Sequence, residues 1–147
     1  MTLLALDPSA LIHRYVDGAH RDLVNNAMAS AETWCVSGLA RTELMLALFR
    51  IVGDPSIADE IWATARHDFD AMVVVPIDER CLARATEIGA GFGLRTVDAV
   101  HLAAVDRLPR PARYATLDHR QIPVALALEL EVVAPLDKSG GEVTPDR

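Results

Sequence analysis

The sequence predicts an α/β protein with a central, mainly parallel sheet of about five strands, covered by helices on both faces. Three observations predict it. Short apolar runs alternate with amphipathic helical stretches along the chain. The runs are mostly apolar and not alternating, as strands buried on both faces are. The 147 residues, 51% of them hydrophobic, suffice for one core and are too few for two.

The elements follow in order. Residues 3–6 (LLAL) form a short buried strand, and Pro8 suits the first turn of a helix over 9–15. A second helix covers 20–31, and a second strand 33–36. Ser37 is a good N-cap for a helix reaching residue 52, stopped by Gly53-Asp54-Pro55. Asp54 caps the next helix, with Pro55 at its first position, running to 71. Residues 72–75 are a third strand closed by Pro76. Asp78 caps a helix reaching 91, and another spans 96–108. A loop punctuated by Pro109 and Pro111 leads to a fourth strand over 114–117, a helix over 119–128 and a fifth strand over 131–133. Residues 1–136 are expected to form one domain. Residues 137–147 are a polar, Gly-rich tail, expected to be mobile.

Composition removes several classes of function. The net charge is −7, which argues against a general electrostatic grip on nucleic acid. Positive charge is almost all arginine, with Lys138 the single lysine. The apolar N-terminus meets Asp7 early and has no basic leader, so no signal peptide is expected. No run approaches the roughly 18 apolar residues of a membrane span. Cys35 and Cys81 lie in apolar contexts without zinc-site spacing and are expected to be buried, reduced thiols of a cytoplasmic protein.

Four acids carry the chemistry. Asp7 and Asp118 each follow an apolar run, where strands end. Glu43 and Asp98 sit on predicted helices that can fold over those ends, Glu43 two turns into its own. In parallel α/β sheets ligands bind outside the carboxyl ends of the strands. Taken singly, each acid is explained by a helix cap or a solvated charge. Jointly they form a pattern. Two carboxylates at 4 Å repel by roughly 4 kcal/mol at an effective dielectric near 20. A hard divalent cation is the simplest neutralising partner.

The segments LALDPSALI, VSGLARTELMLAL, LRTVDAVHLAA and YATLDHRQIPVALALELEVV together resemble a PIN-domain ribonuclease. Size and layout are similar to the VapC toxins of bacterial VapBC toxin–antitoxin modules. The resemblance runs from residue 3 to about 135 and implies a three-layer α/β/α PIN-like domain. It implies Asp7, Glu43, Asp98 and Asp118 as catalytic and metal-site acids, with Mg²⁺ or Mn²⁺ as cofactor. Asp7 and Asp98 would be the main ligands. RNA phosphodiester hydrolysis would leave a 5′-phosphate and a 3′-hydroxyl. Thr116 stands where some members of the family carry a further acid.

Ser9, Arg95, Thr96 and Thr116 lie near these acids in sequence and are candidates for substrate contact. For the three hydroxyls, a cap or turn role stands as the alternative. Arg14, Arg41, Arg95 and Arg120 are candidates for a basic rim. His101 is read as a packed or hydrogen-bonded histidine, and His119 as a helix-start residue. The resemblance implies an RNA substrate, a cognate VapB-type antitoxin and a homodimer, with no membrane. Met45, Leu48, Phe49, Ile61 and Trp62 either line a groove for the antitoxin or are core, since helical spacing predicts both. Three rival readings stay open: a housekeeping PIN nuclease without antitoxin, an aspartyl phosphatase or receiver switch, and a binding module with a dead site. The second lacks the acidic neighbours such sites need, because Ser9 stands two residues after Asp7.

Overall fold

The computed structural model describes residues 2–135; the tail expected at 137–147 lies outside them. Five strands, β1 (Leu3–Leu6), β2 (Thr33–Ser37), β3 (Val73–Val75), β4 (Ala112–Ala115) and β5 (Glu131–Val133), form one sheet in the order β3-β2-β1-β4-β5. Every pairing is parallel. Helices α1 (Pro8–Leu11), α2 (Arg21–Ala29), α3 (Ala40–Val52) and α4 (Pro55–Asp70) cover one face. Helices α5 (Glu79–Phe92), α6 (Thr96–Asp106) and α7 (Ile122–Ala127) cover the other. The architecture is the three-layer α/β/α sandwich the sequence predicts.

Strand β1 lies at the centre, and all four of its residues are buried. Strand alternation divides them between two cores. Leu3 and Ala5 pack with Leu102, Val105, Ile88 and Tyr114 under α5 and α6. Leu4 and Leu6 pack with Leu11, Leu44, Leu48 and Trp62 under α1, α3 and α4. Helix α6 is wedged between the sheet and α5, so Asp98 to Val105 are buried without a break. An apolar sequence all round the helix suits that position. Cys35 and Cys81 are free and buried in the α5/α6 core. Burial pushes both thiols up, as expected of inert cysteines. No single helix among the described residues is long and apolar enough to cross a membrane.

Helix ends follow the local chemistry. Asp54 and Asp78 accept backbone N–H groups as N-caps of α4 and α5. Gly53 (φ 74°) and Gly93 (φ 71°) end α3 and α5 in the left-handed region that glycine adopts without penalty.

Four departures from the sequence reading bear on the site. The helix after β1 is a single turn passing into a 3-10 turn, Ile12–Arg14, where the Ile12 carbonyl accepts from Tyr15 three residues on. Ser37 is the last residue of β2, not the N-cap of α3. Its hydroxyl is engaged by His101, and Leu39 caps α3 with no side-chain bond. Glu43 therefore stands in the first turn of α3, not two turns in. Strand β4 covers Ala112–Ala115, because it pairs residue for residue with the four of β1. Asp118 thus lies in a loop beyond the strand. There the Asp118 carbonyl and carboxylate hold a turn that delays α7 to Ile122.

Candidate active site

At the carboxyl ends of β1, β2 and β4 lies a cleft of about 370 Å³. Asp7, Glu43, Asp98 and Asp118 all line it, with Ser9, Arg50, Arg95 and Gln121. Three of the acids share one donor. The Gln121 side-chain nitrogen is 3.4 Å from Asp7 Oδ1, 3.2 Å from Asp98 Oδ1 and 3.4 Å from Asp118 Oδ2.

Asp7 is the most enclosed of the four. It leaves β1 with its N–H bonded to the Ala115 carbonyl and serves as N-cap of α1. Its Oδ2 accepts from the Ser9 N–H at 3.2 Å, from the Ser9 hydroxyl, and from Thr116 Oγ1 at 3.3 Å. Burial raises its carboxyl above the usual range, against the lowering effects of the His101 charge and of the Ser9 and Gln121 hydrogen bonds. Asp98, buried in the first turn of α6, accepts from Arg95 Nε at 3.0 Å. Asp118 accepts from the Arg120 N–H at 3.0 Å, with Arg120 Nε at 3.4 Å.

Glu43 is anchored from behind. His101 Nε2 is 2.6 Å from Glu43 Oε2, and His101 Nδ1 is 2.6 Å from the buried Ser37 hydroxyl. Burial pulls the imidazole down. The Glu43 hydrogen bond and the charges of Asp7, Glu43 and Asp98 outweigh burial and hold it above its ordinary value of 6.5. A doubly protonated ring donates to both partners. A group raised in this way stabilises the fold fully below pH 6.5, and that contribution fades as pH rises through the folded-state value. NMR titration of the ring proton in chelator-treated protein is expected to give a midpoint above 6.5, lowered by Glu43→Gln. A parental midpoint below 6.5 would contradict the pairing.

The remaining sequence candidates divide. Ser9 and Thr116 belong to the site but brace it. The Ser9 hydroxyl accepts from the Leu117 N–H at 3.0 Å, and the fully buried Thr116 hydroxyl accepts from the Asp118 N–H at 3.1 Å. Arg95 and Arg120 form a rim, lining an adjoining hollow of about 220 Å³ that shares Asp98 with the main cleft. Thr96 faces away, into an apolar hollow between α5 and α6. Arg14 is held by Asp68 and Asn25 beside Trp34, and Arg41 lies over the Trp62 ring. Neither joins the rim. Sequence reasoning missed Gln121 and Arg50. Gln121 follows Asp118 by three residues in a polar stretch, and nothing in that stretch marks its side chain as buried.

The donor set is all oxygen, hard and anionic, which suits a hard divalent cation. Among the described residues, no three His, Cys, Asp or Glu side chains converge closely enough to share one ion in this arrangement. The Gln121 amide stands between the carboxylates instead.

A parallel three-layer sandwich with a carboxylate-lined cleft at its strand ends is thus the class of protein defined here. The PIN domain family model matches residues 4–134, and the chain belongs to that family. Among curated proteins it is similar to Ribonuclease VapC46 of Mycobacterium tuberculosis (strain ATCC 25618 / H37Rv). The two are 29% identical over 136 residues, which is 92% of this chain and 99% of the relative. Ribonuclease VapC47 of Mycobacterium tuberculosis (strain CDC 1551 / Oshkosh) is 34% identical over 90 residues, 60% of this chain and 62% of that one. Two solved structures share the fold. One is VapBC2 from Rickettsia felis bound to a promoter DNA fragment, with TM-score 0.66, 11% identity and 90% and 98% of the two chains covered. The other is DNA-bound VapBC from Salmonella typhimurium, with TM-score 0.64, 13% identity and 91% and 98% covered.

Proposed function

We propose that this chain is a divalent-cation-dependent endoribonuclease, the toxin of a cytoplasmic toxin–antitoxin pair, neutralised by a VapB-type antitoxin and assembled as a homodimer. One observation carries the chemistry: three carboxylates from three different segments meet on a single side-chain nitrogen, with Glu43 in the same cleft. Similarity to a ribonuclease over nearly the full length of both chains supports the substrate class. The toxin and antitoxin roles draw on the VapC and VapBC names of the relatives. The nuclease domain is taken as residues 1–136, followed by the tail 137–147.

In this reading Asp7, Asp98 and Asp118 would hold Mg²⁺ or Mn²⁺, and Glu43 would complete the set. When bound, the cation would supply positive charge at the scissile phosphate and make water more acidic. Glu43, held by His101, orients the attacking water. Ser9 and Thr116 fix the Asp7 carboxylate. Arg95, Arg120 and Arg50 offer guanidinium groups to the phosphates of single-stranded or loop RNA.

Purified protein is expected to cut RNA with Mg²⁺ or Mn²⁺, to stop on addition of EDTA, and to stop again on addition of the product of an adjacent small gene. Cleavage undiminished by chelation would overturn the mechanism. Cleavage that no neighbouring gene product inhibits would leave a housekeeping nuclease in place of a toxin. No metal-dependent cleavage of any RNA would leave a binding module.

A further inference from the structure

We propose that Gln121, aimed by Tyr114, is a positioning residue that props Asp7, Asp98 and Asp118 apart in the cation-free protein and competes with a divalent cation for the space between them. The proposal rests on the cation-dependent reading above. It turns on which end of the amide faces the acids. The Tyr114 ring is wholly buried on β4, and its hydroxyl lies 2.6 Å from Gln121 Oε1. A phenol, which ordinarily titrates at about pH 10, is protonated at neutral pH, and this one donates to the amide. The amide oxygen accepts that hydrogen, and the NH₂ end is left facing the carboxylates.

That end carries two hydrogens, whereas three carboxylate oxygens surround it at 3.2–3.4 Å. All three contacts are longer than a charge-assisted N–H···O bond, commonly about 2.7–2.9 Å. The nitrogen therefore sits between the acids, committed to none. Bonds from oxygen to Mg²⁺ are about 2.1 Å, so the same oxygens would have to close in, and the amide would have to leave their midst. Gln121 is 1% exposed and anchored at its far end. Its departure therefore opposes cation binding. The amide is also neutral. It satisfies lone pairs without cancelling the mutual repulsion of the acids, which a cation does cancel.

The test is calorimetric titration of the full chain with Mn²⁺ in the absence of RNA, comparing the parent with Gln121→Ala and Tyr114→Phe. Gln121→Ala is expected to bind Mn²⁺ roughly tenfold more tightly, the scale of one hydrogen bond to a charged group. Tyr114→Phe, which leaves the glutamine in place but unaimed, is expected to shift affinity the same way by a smaller factor. Equal or weaker binding in both variants would overturn the proposal, and that is the result a purely structural role predicts. Should Gln121→Ala fail to fold, the near-isosteric Tyr114→Phe decides alone, and unchanged affinity there overturns it. A parent that binds no Mn²⁺ would bring down the cation reading and this inference together. A parent that binds, with variants no tighter, would bring down only this inference.

Discussion

Asp7→Asn is expected to lower RNA cleavage by about three orders of magnitude or more, while the cation-free protein stays as stable as the parent or becomes more stable. The first half follows from Asp7's place among three carboxylates that share one donor; groups acting as a unit are lost together when one is removed. The second half follows from burial. The folded-state carboxyl is raised above 3.8, so the native form holds its proton more tightly than the unfolded chain does. Stability then falls as pH rises from about 3.8 through the raised value, and the cost of the buried charge is borne above it. Asparagine carries no such charge. It also keeps an oxygen for the Ser9 N–H, and asparagine caps helices about as well as aspartate. Urea denaturation at pH 7 in EDTA, alongside a cleavage assay, separates the roles. A variant that cleaves at the parental rate would remove Asp7 from the chemistry. A clear loss of stability would mean that Asp7 serves mainly to brace the turn.

The same residues show what the sequence can and cannot reveal. The apolar run LLAL announces the central strand because burial on both faces demands it. The caps Asp54 and Asp78, and the stop at Gly53, are local chemistry and are legible as such. The extent of β4 is not local. It is set by pairing with β1, some hundred residues earlier, and that pairing ends the strand at Ala115, so Asp118 lies in a loop beyond the strand end and not directly at it. Ser37 looked like a helix cap because serine usually is one; His101, 64 residues away, takes its hydroxyl into the core. Gln121 was invisible for the same kind of reason. Its place beside Asp118 is local, but its burial also depends on Asp7 and Asp98 from separate segments, which no local pattern reports.

A coherent division of labour follows at the strand ends. Acids from β1, from the β4 loop and from α6 face the cleft, and each is held by a neighbouring side chain. Ser9 and Thr116 hold Asp7, Arg120 holds Asp118, Arg95 holds Asp98, and the Ser37–His101 pair holds Glu43. Such bracing fixes rotamers before a ligand arrives, which preorganised sites require.

Trp62→Ala is expected to cost about 3–5 kcal/mol of stability, the usual range for emptying a large aromatic site in a core. The sequence left Trp62 open as either core or the wall of an antitoxin groove. In the fold it is 4% exposed on α4, with its ring 6.0 Å from that of Phe69 and Arg41 over its face at 5.3 Å. Leu48 is buried with it, and Met45 and Ile61 pack against the same core, whereas Phe49 is exposed. Truncating Trp62 therefore removes contacts between α4 and α3 that nothing nearby can replace. A domain of this size is commonly stable by about 5–15 kcal/mol, so the variant loses a large share. The urea midpoint should fall by roughly 1–3 M with little change in slope. Leu46→Asp supplies the contrast. Leu46 lines the acidic cleft and is 54% exposed, as Ile51 beside it is 60% exposed. A surface change of this kind moves stability by about 0.5 kcal/mol or less. If the proposed antitoxin docks over the cleft, the new charge falls among its apolar contacts, and its binding should weaken by about tenfold or more, the mark of a lost anchor contact. A Trp62→Ala protein that melts like the parent but loses its antitoxin would return Trp62 to the surface. A Leu46→Asp protein that binds antitoxin like the parent would move the docking face away from the cleft.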